Sequence, residues 1–205
     1  MYRTLLYKES LCIGLFFTFL TIYLFIIKNK YRIIPFIILI ILMIFYRYKN
    51  YTMEYDDNII VSPAEGKITN IMSLSNNRVF VSIFLSVFNN HTQMYPVNGT
   101  VIKRVYDDTG QFNIVIDGYK SRYNEKKIHT IQMNNNNIVK VVQIAGFLPR
   151  RIASSDVVPL DVKAGEYLGI IKFGSRVDLI FPGDINKLLV TLNDNIKLGD
   201  IIYEY

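Results

Sequence analysis

Two strongly apolar runs in the first fifty residues constrain the fold of this chain more than any other feature. Leu11–Ile27 has 17 residues without a charge and Ile33–Tyr46 has 14, with five polar residues between them. At roughly 1.5 Å per residue, the first run only just spans the apolar core of a bilayer, about 30 Å thick. The second run, and the absence of a small-residue cleavage site, argue against a signal peptide. We predict an apolar helical hairpin that dips into the membrane.

The charge of the chain is concentrated beside these apolar runs. Residues 1–50 contain seven basic side chains and one acidic one, and this excess equals the formal charge of +6 of the whole chain. Basic residues beside an apolar segment suit anionic lipid head groups, which contribute on the order of 1 kcal/mol for each charge. The net-neutral remainder offers no basic face for nucleic acid. We therefore predict anionic membrane lipids as partners and exclude nucleic acid.

From about residue 51 the pattern changes to short segments rich in β-branched and aromatic residues, separated by turn-forming residues such as those at 134–137. The predicted strands include Val79–Phe88, Gly99–Val105, Phe112–Asp117, Ile138–Ile144 and Tyr167–Lys172. The fold class is therefore α+β and predominantly β, with one or two short helices beyond the hairpin. We place the domain boundary at residue 50, with the hairpin over 1–50 and a second domain over 51–205.

Cysteine and histidine are too scarce for several kinds of site. The single cysteine, Cys12, excludes an internal disulfide and a cysteine-rich zinc site. Because only His91 and His129 are present, a three-histidine metal centre is also excluded, and we predict no metal. We interpret His129 as structural or exposed.

Three short segments of the second domain carry residues that could take part in catalysis. They are Val61–Lys67, Phe88–Gly99 and Lys172–Asp178. The first holds Glu65 between a proline turn and a glycine, and the second holds His91 at the end of a strand. The third holds Ser175 after a glycine. Each alone has an ordinary explanation, as a solvated acid, a structural histidine or a turn. Any one of them by itself is weak evidence for a catalytic site.

In this order the segments resemble the phosphatidylserine decarboxylases, in particular the short form with an N-terminal membrane hairpin. Residues 62–67 (SPAEGK) are similar to the family's SPADGK segment, and residues 84–99 to its strand with a histidine and PV-G. Residues 142–146 with 150–152 are similar to its QIAG and RRI stretch. Residues 173–178 (FGSRVD) are similar to the short-form processing signature, the most diagnostic of the four. The resemblance covers nearly the whole chain.

The resemblance implies a proenzyme that cuts itself between Gly174 and Ser175 into a large subunit, 1–174, and a small subunit, 175–205. It makes Ser175 the nucleophile. His91 is then the base, with a second role as acid or base in the decarboxylation. Glu65 orients the imidazole of that histidine.

The cofactor implied by the resemblance is a covalent pyruvoyl group, which Ser175 becomes after the cut. The implied reaction converts phosphatidylserine to phosphatidylethanolamine and carbon dioxide. Arg150 and Arg151 either bind the lipid phosphate or carboxylate, or form a solvated pair. A homodimer of the processed molecule is expected, as is a location at the cell membrane with the catalytic domain in the cytoplasm.

The chain departs from the family pattern at several positions. Glu65 stands where the family usually has aspartate, and the extra methylene predicts slower processing. Asn90 and residues 92–94 also differ, which bears on head-group handling, and we assign no role to Glu125.

Alternatives to this enzyme remain open. Gly99–Val105, Val162–Gly169 and Leu198–Asp200 look like hairpins of lipoyl-type barrel-sandwich domains. They leave open a non-enzymatic membrane-anchored adaptor, in which Gly174-Ser175 is an ordinary turn. They also make a barrel-sandwich-like arrangement the expectation for the catalytic domain. A decarboxylase acting on another serine-headed lipid and a proenzyme that no longer processes share the same fold.

Overall fold

The structure is a computed structural model that describes residues 8–46, 54–111, 113, 120–146, 152–172 and 175–205. The chain divides into two compact units, 1–50 and 51–205. The predicted strand Phe112–Asp117 lies outside the described residues except for Asn113.

The first unit contains two helices in contact with each other, α1 (Lys8–Ile26) and α2 (Ile33–Phe45). The polar residues 28–32 separate them, and Lys28 adopts a positive φ of 50° just beyond the end of α1. Pro35 lies in the first turn of α2, where the missing N–H has no helical acceptor to lose. Neither described helix combines the length and the apolar character that crossing a membrane requires.

The regular secondary structure described in the second unit consists almost entirely of β-strands. Those in its described residues are β1 (Ile59–Val61), β2 (Gly66–Leu74), β3 (Arg78–Leu85), β4 (Thr92–Met94), β5 (Gly99–Asp107), β6 (Lys126–Met133), β7 (Ile138–Ala145), β8 (Ile152–Ser154), β9 (Leu160–Val162), β10 (Tyr167–Ile171), β11 (Ser175–Pro182), β12 (Asn195–Ile196) and β13 (Ile201–Glu204). Two short 3₁₀ helices, Lys120–Tyr123 and Ile185–Lys187, are the other regular elements described. The prediction of a predominantly β fold is confirmed.

The strands form one large sheet and two small ones. The large sheet has eight strands in the order β12-β2-β3-β11-β7-β6-β5-β9, and the small sheets have the orders β4-β10-β8 and β1-β13. All of these pairings are antiparallel. Strand β11 therefore lies inside the large sheet, between β3 and β7, and every residue from Ser175 to Ile180 pairs on both sides.

Local residue types explain the tight turns of this sheet. Residues 75–77 join β2 to β3, and Asn76 and Asn77 in this loop have φ values of 62° and 49°, the left-handed backbone that asparagine tolerates. The asparagine tract at 134–137 joins β6 to β7, as predicted. The predicted strand Val79–Phe88 extends too far, because β3 ends at Leu85 and a turn follows.

One hydrophobic core is shared by the three sheets. Ile60 of β1, Ile171 of β10 and Val177 of β11 are all fully buried in it. Along β11, residues 175, 177, 179 and 181 alternate with the others and are fully buried, so this face of the strand points into the core. A polar residue on this face of β11 is therefore removed from water.

Candidate active site

Ser175 begins the central strand of the large sheet. It pairs with Leu85 of β3 on one side and with Ala145 of β7 on the other. Its side chain is fully buried, and its Oγ atom has no hydrogen-bond partner among the described residues. Leaving a buried hydroxyl unpaired costs about 1–3 kcal/mol, so its presence calls for a reason other than stability. The adjoining Phe173 and Gly174 lie outside the described residues.

The next residues of β11 form a buried ion pair on the opposite face of the strand. A guanidinium nitrogen of Arg176 lies 2.7 Å from Oδ2 of Asp178, and Ser82 of β3 donates to Oδ1 of the same carboxylate at 2.7 Å. Arg176 also donates to Ser121. Burial raises the pKa of Asp178, although the guanidinium and the serine hydroxyl both act to lower it. These contacts tie the start of β11 to β3 and to the 3₁₀ helix Lys120–Tyr123.

His91 lies at the same end of the sheet as Ser175. It follows the turn that leaves β3 at Leu85, and its carbonyl accepts a hydrogen bond at 3.2 Å from the backbone N–H of Ile171. Ile171 ends β10 and precedes Ser175 by only four residues. Both the turn that follows β3 and the hydrogen bond to the end of β10 therefore place the histidine at the start of β11.

The hydrogen bonding of the His91 ring defines its basic atom. The ring is fully buried, and Nδ1 lies 2.8 Å from the carbonyl oxygen of Asn89. Because a carbonyl only accepts, Nδ1 of the neutral ring carries the proton in this contact and Nε2 carries the lone pair. This is the tautomer that a general base needs when its other nitrogen is held by an acceptor.

Glu65 lies at the same end of the sheet, two strands from Ser175. Lys67 of β2 and Arg176 of β11 pair with Phe84 from opposite sides, which puts the start of β2 level with the start of β11. At the usual strand spacing the two backbones are about 10 Å apart. A Cβ atom at Gly66 would lie 2.2 Å from the carbonyl oxygen of Phe84, so glycine here lets β2 approach β3 directly after the acid.

Asn89 connects the acid to the histidine, a role that the sequence analysis did not assign. Its Nδ2 donates to Oε1 of Glu65 at 3.2 Å, while its own carbonyl oxygen is the acceptor for His91. Its Oδ1 accepts from the backbone N–H and the hydroxyl of Ser86 at 2.9 and 2.7 Å. The Ser-x-x-Asn spacing, typical of a tight turn, is the local sequence signal that could have indicated this residue.

A second polar chain reaches the His91 backbone from the middle of the large sheet. His129 Nε2 donates to Gln143 Oε1 at 2.8 Å, Gln143 Nε2 donates to Gln93 Oε1 at 2.8 Å, and Gln93 Nε2 donates to the His91 carbonyl at 2.6 Å. All four residues are buried. Burial lowers the pKa of His129 to about 4, so its ring is neutral at neutral pH. Of the two interpretations given for His129, the exposed one is wrong.

The remaining predicted residues are placed as follows. Arg150 and Arg151 lie outside the described residues. Glu125 is buried and accepts from the hydroxyl of Tyr106 and from the backbone N–H of Ile152, a structural arrangement. A surface cleft of 390 Å³ at the β5–β9 edge contains none of the predicted site residues.

Comparison with known proteins agrees with this arrangement. A family model described as phosphatidylserine decarboxylase matches residues 40–204. The phosphatidylserine decarboxylase proenzyme of Cytophaga hutchinsonii is 35% identical over 211 residues, covering 98% of this chain and 94% of the relative. The proenzyme of the same name from Chlorobium phaeobacteroides is 36% identical, covering 80% of this chain and 79% of the relative.

A third relative, from Carboxydothermus hydrogenoformans, carries the same name and is 33% identical, covering 82% of this chain and 80% of its own length. The chain therefore belongs to the phosphatidylserine decarboxylase family. The predicted family and enzyme class are confirmed, and the non-enzymatic adaptor is not favoured.

Proposed function

We propose that this chain is a self-processing, pyruvoyl-dependent decarboxylase that converts phosphatidylserine to phosphatidylethanolamine and carbon dioxide. The observation that carries the proposal is the buried hydroxyl of Ser175 at the start of the central strand, with no described partner. Its position matches the processing signature of the family to which the chain belongs. The names of the relatives supply the substrate.

The first proposed reaction is the cut between Gly174 and Ser175. Oγ of Ser175 attacks the carbonyl carbon of Gly174 and passes its proton to Nε2 of His91. The glycine acyl group moves from the serine nitrogen to the serine oxygen, and the nitrogen takes the proton back from His91, which leaves an ester and a free amine. Loss of the Ser175 α-proton then expels the glycine carboxylate. Water finally replaces the nitrogen, which departs as ammonia, and residue 175 becomes a pyruvoyl group.

Side chains around the bond have distinct proposed roles in that cut. His91 is the base, because its Nδ1 proton is held by Asn89 and its lone pair is on Nε2. Glu65 stabilises the imidazolium that forms, with Asn89 connecting the two in the described contacts. The pairing of Ser175 with Leu85 and Ala145 holds the nucleophile in one geometry.

The pyruvoyl group supplies a carbonyl that withdraws electrons as carbon dioxide leaves. The buried, dry surroundings of Ser175 suit this chemistry, because an electron-withdrawing group acts more strongly away from water. We propose that His91 moves a proton to or from the reacting carbon in the same step. Arg150 and Arg151 remain proposed ligands of the lipid phosphate or carboxylate.

We further propose that residues 1–50 anchor the chain in the cell membrane and that residues 51–205 form a barrel-sandwich-like catalytic domain in the cytoplasm. The support is the apolar character of α1 and α2 with their basic flanks, and the hydrophobic core to which all three sheets contribute. The processed molecule consists of residues 1–174 and 175–205. Its pairing into a homodimer stays a prediction of the resemblance.

Intact-mass spectrometry on the purified chain tests the proposal. We expect one fragment of 174 residues and one of 31, the latter lighter by one ammonia than a peptide that begins with serine. The Ser175→Ala variant should remain one uncut chain without decarboxylase activity. Ser154→Ala is the matched control, since its Oγ is also buried without a described partner, and it should be cut normally. An uncut wild-type chain would contradict the proposal.

A further inference from the structure

The turn that follows β3 presents two large apolar side chains to solvent. Asn89 N–H donates to the Ser86 carbonyl at 3.0 Å, so Val87 and Phe88 are the central residues of a four-residue turn. Turn centres are usually polar or glycine. Here Val87 is 53% exposed and Phe88 is 80% exposed, the highest value among the large apolar residues that the structure describes. We refer to these two residues as the 87–88 tip.

The same turn holds the candidate active site on its inner side. Asn89, which closes the turn, contacts Glu65 through its side chain and His91 through its carbonyl. His91 is fully buried although it is only three residues from the exposed Phe88. The apolar tip and the proposed base are therefore parts of one hydrogen-bonded unit, and a surface that receives the tip lies beside the site.

The residue types in and around the tip favour a lipid surface as its binding partner. Residues 86–91 contain no Asp, Glu, Lys or Arg, so entry of the turn into an apolar boundary buries no charge. Lys67, exposed on the neighbouring strand β2, pairs with the residue before Leu85 and supplies a positive charge near an anionic surface. A phospholipid that stays in its bilayer presents its head group at that boundary, which is where the site has to act.

We propose that the 87–88 tip inserts into the boundary between head groups and acyl chains of a phospholipid bilayer and holds the His91 end of the sheet at the interface. This contact is separate from the proposed anchoring by residues 1–50. It rests on the proposed function, because a bilayer-embedded substrate is what makes the contact useful to the enzyme.

Fluorescence quenching tests the insertion without depending on turnover. The chain has no tryptophan, so a Phe88→Trp variant carries a single indole. Ile102→Trp is the matched control, because Ile102 is 44% exposed on β5, four strands from β3. Both full-length variants are placed in vesicles of phosphatidylglycerol and brominated phosphatidylcholine. We expect the emission to fall at least about twofold at position 88 and to stay nearly unchanged at 102. Equal or absent quenching at position 88 would overturn the proposal.

Enzyme kinetics on two physical forms of the substrate provide a second experiment. In a Val87→Ser/Phe88→Ser variant, we expect KM for phosphatidylserine in vesicles to rise about tenfold while kcat changes by less than about twofold. Activity on a short-chain phosphatidylserine dissolved as monomers should stay unchanged, as should self-cleavage. Ile102→Ser should behave as wild type on both substrates. An unchanged KM on vesicles would contradict the role of the tip.

The two arms separate failure of this proposal from failure of the proposed function. A wild-type chain that neither cuts itself nor releases carbon dioxide contradicts the proposed function. The quenching difference then still decides whether the tip contacts lipid. A fully active wild type with no quenching difference contradicts only the proposed contact of the 87–88 tip with lipid.

Discussion

The two buried histidines of the second unit present the same side chain in two different settings. His91 lies at the end of the large sheet, and its Nδ1 is held by the Asn89 carbonyl, which leaves the lone pair on Nε2. His129 lies in the middle of β6, and its Nε2 donates to Gln143. The two rings are therefore opposite tautomers. Burial alone therefore does not single out the proposed base; the position relative to Ser175 and the nitrogen that keeps its lone pair distinguish the two.

The largest expected effect comes from His91. His91→Ala should accumulate the uncut chain and slow self-cleavage by about a hundredfold or more, since a positioned base contributes about 10²–10⁴ in rate. Gel electrophoresis of chains sampled over time measures the rate. His129→Leu is the control from the other histidine and should be cut at a rate close to that of wild type. Normal processing of His91→Ala would remove this residue from the role of base.

The pH dependence of the free energy of unfolding should reflect the titration of His129. The pKa of His129 falls from 6.5 to about 4 on folding, because burial penalises the charged ring. The unfolded chain therefore binds a proton at this histidine more readily than the folded chain does. The contribution of His129 to the free energy of unfolding is fully present above pH 6.5 and is lost as the pH falls towards 4. The loss is about 3 kcal/mol.

Chemical unfolding of the full chain in detergent at several pH values measures this loss. His129→Leu should show a correspondingly weaker dependence between pH 6.5 and 4. An equally steep dependence in that variant would assign the effect to another group.

A smaller effect is expected from the hydrogen bond of His129 itself. At pH 8, His129→Leu leaves Oε1 of the buried Gln143 without this donor, which costs about 1–3 kcal/mol of unfolding free energy. The midpoint of denaturant unfolding, measured on the uncut Ser175→Ala background, isolates stability from processing. A change below about 0.5 kcal/mol would show that the polar chain through Gln143 and Gln93 adds little.

The smallest effect concerns Glu65 and sharpens the assignment of His91. Glu65→Asp should raise the rate of self-cleavage a few-fold, because aspartate is the acid of the family pattern and the extra methylene displaces the carboxylate. Quantifying the cut fraction over time in the two chains measures this change. An unchanged or lower rate would show instead that the longer acid is matched to Asn89, whose Nδ2 lies 3.2 Å from its Oε1.

Local sequence patterns were enough for several features of the molecule. The apolar runs predicted the positions of α1 and α2, the alternating segments predicted a mainly β second unit, and the asparagines at 134–137 predicted a turn. Four ordered motifs identified the family. These features depend on residues close together in the chain, where periodicity and turn preference act directly.

Only the tertiary structure placed Ser175 in the central strand of an eight-stranded sheet and put Asn89 between Glu65 and His91. It also decided that His129 is buried and joined through Gln143 to Gln93, across 50 residues of sequence. The physical reason is that these contacts depend on strand order and register. A one-residue change of register turns every side chain of a strand to its other face, and no local pattern around Ser175 or His129 specifies which distant strand lies beside it.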